Sequence, residues 1–172
     1  MNTNWWNRNR NDPERYEDLS EEQRDRLAEV EDFLGNNCLG WFQGSGKVKR
    51  AVVEVLCRLP SDAADVLLSN SDIVVIDGSL SCAWSWLHTC PPHSKVLKKR
   101  LYVAVLRAAL REMPYKAVVG EVAHEFAHVF QGHNLCSSSE READRAQEEA
   151  DTTARQWGFS EEIDLLKRQP VA

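Results

Sequence analysis

His124-Glu125-Phe126-Ala127-His128 stands inside a long apolar-periodic run, flanked by Ala117, Val118, Val119, Val122, Ala123, Val129 and Phe130. The run predicts a helix over about 115–131, opened by Pro114 and terminated by Gly132. On a helix, residues four apart share a face, so both imidazoles project the same way. Two neutral imidazoles side by side form a bidentate site for a divalent metal, zinc first. Glu125 lies between them in sequence and can reach a water held there. Zinc brings the pKa of such a water toward about 7, and a nearby carboxylate can then take its proton. Two ligands and a general base thus fall within five residues.

A helix rich in His and Glu can match H-E-x-x-H by chance. The apolar flanks argue otherwise here. They surround the helix nearly all round, which predicts burial in the core. Buried imidazoles and carboxylates need partners, because unpaired buried polar groups are costly. A metal answers that need.

The 172 residues fit one compact domain, 19–172, preceded by a mobile polar tail, 1–18. The formal charge is −6. Lys47-Val48-Lys49-Arg50 and Lys98-Lys99-Arg100 read as solvated flanks, so no nucleic-acid partner is expected. No run of 18 apolar residues and no leader pattern are visible, which predicts neither membrane span nor secretion. Five scattered cysteines, an odd number, suit reduced thiols in a cytoplasm. Cys38 and Cys57 read as small core residues. Cys82, His88, Cys90 and His93 crowd together but match no common zinc module. Trp5 and Trp6 in the tail suggest docking onto the domain or onto a protein regulator.

Along the body, Ser20 caps a helix carrying Leu27, Val30, Phe33 and Leu34 and ending at Gly35-Asn36-Asn37. Gly40–Lys47 fails as a phosphate loop, since Trp41 and Val48 stand at its fixed positions. Helices follow at about 48–59 and, from a Ser61/Asp62 cap, to about Leu68. Ile73–Asp77 and Leu101–Leu106 read as strands. Further helices are expected at about 138–156, stopped by Gly158, and at 160–168. The predicted class is α+β: N-terminal helices, a small sheet and two packed active-site helices.

Catalytic zinc usually takes three protein ligands and leaves one position to water. His133 follows His128 by five and is rotated away on a helix. It can instead bond a second group beside the ligands. The short loop after Gly132 predicts that the next helix turns back, its first turns level with the metal. Glu140 and Asp144 are then favoured over Glu148 and Glu149. Glu142 stays open, because Ser137 with Glu140, or Ser139 with Glu142, makes a capping box.

His124–His128, Glu140-Arg141-Glu142-Ala143-Asp144 and Trp157-Gly158-Phe159 together resemble the gluzincin metallopeptidases, over about residues 99–160. The resemblance implies a zincin-like fold, with Glu140 as third zinc ligand and Asp144 steadying the site. It also implies that His133, in a Gly-His pair after the helix, does not bind metal. A second near-copy, Glu148-Glu149-Ala150-Asp151, is better spaced from Trp157, with Gln147 where its ligand glutamate would be.

Gly120, one turn before His124, is expected to leave room above the metal or to allow close helix packing. Leu101–Leu106 is the candidate edge for main-chain pairing with a peptide. His133, Tyr102, Tyr115 and Arg141 are candidate oxyanion donors. The expected function is zinc-dependent hydrolysis of peptide bonds in a protein or peptide substrate, with Glu125 as base. The rival is a non-catalytic metal-binding module that regulates or binds another protein.

Overall fold

A computed structural model of the protein describes residues 20–37, 46–69, 73–77, 102–106, 110, 112–133 and 139–169. Seven helices lie within them: α1 (Glu21–Asp25), α2 (Leu27–Asn37), α3 (Gly46–Arg58), α4 (Ser61–Leu68), α5 (Tyr115–Gln131), α6 (Glu140–Gln156) and α7 (Ser160–Lys167). Two five-residue strands, β1 (Ile73–Asp77) and β2 (Tyr102–Leu106), pair in parallel, Ile73 opposite Tyr102 through to Asp77 opposite Leu106.

The fold is therefore mainly helical, which corrects the α+β, zincin-like expectation. One short strand pair makes no sheet layer. The core is built instead of helix on helix. Val48, Val52, Val55 and Leu56 of α3, Ala63 and Leu67 of α4, Val118, Val122 and Phe126 of α5, and Phe159 and Ile163 around α7 are buried together. Burial holds the Cys57 thiol up at about 12, as fits an inert core residue.

The punctuation of the chain explains the helix ends. Ser20 and Gln23 form a reciprocal capping box at α1. The chain then breaks at Arg26, so the expected single helix is two. The Arg26 guanidinium donates to the carbonyls of Cys57 and Leu59, satisfying the C-terminal end of α3. α4 is capped by Pro60 without a side-chain bond, not by Ser61 or Asp62. Pro114 and Gly132 bound α5 as expected, Gly132 adopting the left-handed conformation at φ 69°. At α6 the capping box is Ser139 with Glu142.

α5 is the central helix, packed by α3, α4, α6 and α7. Its closest approach is at Gly120. A Cβ there would lie 2.5 Å from the backbone oxygen of Glu162. Gly120 thus lets α7 touch the histidine helix backbone to side, and the space beside it belongs to α7 rather than to a metal. Arg58 fastens the same corner, donating to Glu54 at 2.8 Å and to Glu162 at 2.9 Å. Its guanidinium also lies over the Phe159 ring.

Candidate metal centre

Glu121, His124, Glu125 and His128 repeat at three and four along α5 and are all buried. They form one polar stripe on an otherwise apolar helix. Residues at this spacing stack along a single face, so the two rings meet. Their centroids are 4.6 Å apart and nearly perpendicular. The two Nε2 atoms face each other at 3.0 Å.

Each ring is anchored through its other nitrogen. His124 Nδ1 lies 2.8 Å from Asp151 Oδ1, and the second oxygen of Asp151 takes an ion pair from Lys167. His128 Nδ1 lies 2.8 Å from His133 Nδ1, and His133 Nε2 stands 3.3 Å from Glu149. A carboxylate on one imidazole nitrogen fixes the tautomer so that the opposite nitrogen offers its lone pair inward. A third polar atom completes the corner: Gln147 Oε1, 2.8 Å from His124 Nε2. Gln147 is itself exposed, so the corner reaches solvent on that side.

The environment separates the two histidines electrostatically. Burial disfavours charge on His124, but the Asp151 bond and the Glu125 and Glu121 charges outweigh it and raise its pKa. Burial, reinforced by His124 and His133, depresses His128 to about 3. Asp151 is held at about 2, because His124 and Lys167 overcome the cost of its burial. His128 is thus a neutral imidazole across the physiological range, the form in which an imidazole can ligate a metal.

The donor set fits a small divalent cation. Two imidazole nitrogens and an amide oxygen converge on the same corner, each within 3.0 Å of a neighbour. Two nitrogens bound to one tetrahedral zinc at about 2.0–2.1 Å lie about 3.3 Å apart, close to the spacing here. Mutually facing acceptors are unfavourable until a proton or a cation lies between them.

The sequence expectations divide at α6. Glu140 is exposed at its first position, seven residues before Gln147, about 10 Å further along the helix. Asp144 and Glu148 are exposed, and Glu142 is engaged in the capping box. The structure brings Gln147 and Asp151 to the histidines in the places expected for Glu140 and Asp144. Among the described residues, no three His, Cys, Asp or Glu side chains form a metal cluster. The reason lies in packing. Ala146, Ala150 and Ala154 are the buried residues that let α6 approach α5 closely. The polar residues beside that stripe, not those in the first turn, reach the site.

His133 meets the His128 ring through Nδ1 and Glu149 through Nε2. Tyr115 is not an oxyanion donor: its hydroxyl donates to Glu54 at 2.6 Å. Arg141 is exposed in the first turn of α6. Cys38, Cys82, His88, Cys90, His93, Trp5, Trp6 and the Tyr102 side chain lie outside the described residues. Glu121, Gln147, Glu149, Asp151 and Lys167 are site residues that the motif alone did not assign. The near-copy ending in Ala150-Asp151 was the signal for two of them.

No described helix is long and apolar enough to cross a membrane. Compared with family models, curated proteins and solved structures, the chain matches none.

Proposed function

We propose that this protein is a zinc-dependent metallopeptidase that hydrolyses peptide bonds in a protein or peptide substrate, in the cytoplasm. The observation that carries the reading is the pair of buried imidazoles on α5, their Nε2 atoms 3.0 Å apart and each Nδ1 held from behind. His124 and His128 would hold the ion. Bound zinc supplies Lewis acidity and brings a water molecule's pKa to about 7.

The remaining chemistry belongs to the chain. Asp151 and His133 hold the two rings in a fixed orientation, so little reorganisation accompanies metal binding. The Glu125 carboxylate takes the proton of the attacking water and returns it to the leaving amine nitrogen. Its burial beside His124 keeps bulk water from competing for that proton.

Glu125→Gln preserves shape and removes the base. The expected result is unchanged zinc content with peptide cleavage reduced about 100-fold or more. Cleavage at the wild-type rate in that variant would remove Glu125 from the mechanism. The second reading, a metal-binding module without catalysis that regulates or binds another protein, is favoured by one observation. The third donor at the corner is an amide, Gln147, not a carboxylate. Stoichiometric zinc uptake with no cleavage across a mixed peptide library would select it.

A further inference from the structure

We infer that Gln147 is the third protein donor of this metal site, binding through Oε1 and making a neutral two-histidine, one-amide set. The inference rests on the proposed metal reading and goes beyond it, naming a ligand that no carboxylate motif would supply. Gln147 Oε1 is 2.8 Å from His124 Nε2, and that nitrogen is 3.0 Å from His128 Nε2. The three atoms occupy one corner, and with both rings neutral and protonated at Nδ1 all three would present lone pairs to it. Two nearby α6 carboxylates are committed elsewhere, and Asp144 and Glu148 are exposed. Asp151 holds the far side of His124 and pairs with Lys167, while Glu149 pairs with Arg145 and His133.

The choice of amide has an electrostatic consequence. A carboxylate ligand cancels one unit of the ion's charge, and an amide oxygen cancels none. The site therefore binds zinc less tightly than a two-histidine, one-glutamate site in the same frame. A bound cation there would keep more of its positive charge and so polarise a carbonyl more strongly. Charge compensation falls to the surrounding carboxylates, Glu121, Glu125 and Asp151, which already act electrostatically on His124. Gln147 is exposed, so truncating it removes no core packing.

The test is zinc affinity by chelator competition on the full chain, with the cobalt(II) absorption spectrum as a second readout. Wild type is compared with Gln147→Ala, Gln147→Glu, Glu140→Ala and His124→Ala. Gln147→Ala is expected to weaken zinc binding about tenfold or more, the size usual for a lost partner at a metal site. Gln147→Glu is expected to tighten it by a similar factor and to shift the cobalt bands. Glu140→Ala is expected to leave both unchanged. Wild-type affinity in Gln147→Ala overturns the inference, as does a loss confined to Glu140→Ala; in both cases the metal reading stands. No zinc uptake by wild type, or uptake undiminished in His124→Ala, overturns the metal reading itself.

Discussion

α5 and α6 are equal in length and opposite in character. In α5, thirteen consecutive residues, Ala117–Val129, are buried. In α6, only Ala146, Ala150, Thr153 and Ala154 are. α5 has no side-chain cap at its N-terminus and depends on the core around it. α6 carries its own local support, the Ser139/Glu142 box and an Arg145–Glu149 pair at i,i+4. The candidate centre draws its two histidines from the first and Gln147 and Asp151 from the second. A buried interior helix holds the rings, and a largely solvated helix supplies the polar atoms that meet them.

That contrast can be broken by mutation, the largest effect coming first. Phe126 is 1% exposed and lies between the two histidines in sequence. Phe126→Ala is expected to cost about 3–5 kcal/mol in chemical denaturation, from lost burial and the cavity left behind. A loss below 1 kcal/mol would mean that α5 is not held as described. Gly120→Ala comes next, at about 1–3 kcal/mol, because its methyl group meets the Glu162 carbonyl and backbone has to move. Wild-type stability would show that α7 does not press on the histidine helix. Ser139→Ala has the smallest effect, about 1 kcal/mol, from the lost cap on α6. If it destabilised the protein as much as Phe126→Ala, the two helices would not differ in kind.

How much could be read from the chain follows the same division. In α5 the spacing of the histidines, the apolar flanks, Pro114 and Gly132 all agree, because a buried helix tolerates few alternatives. The Ile73–Asp77 and Tyr102–Leu106 segments look like part of a sheet when taken alone. Only the helix-on-helix core, legible as Val48, Val52 and Leu56 against Val118 and Val122, changes the class. In α6 six carboxylates are spread over seventeen residues, and polarity alone cannot choose among them. The expected turn-back placed Glu140 level with the histidines. The narrow alanine stripe determines the closest approach instead, and it selects Gln147 and Asp151. Glu121 went unassigned because nothing in the five-residue motif extends one turn upstream.

The ion pair between Lys167 and Asp151 gives the last turn of α7 a link to the centre. That turn sits where helices ordinarily fray. Were it to unwind, Asp151 would lose its counter-charge and the hold on His124 would slacken. Whatever steadies or loosens the end of α7 would therefore set how firmly one of the two rings is aimed.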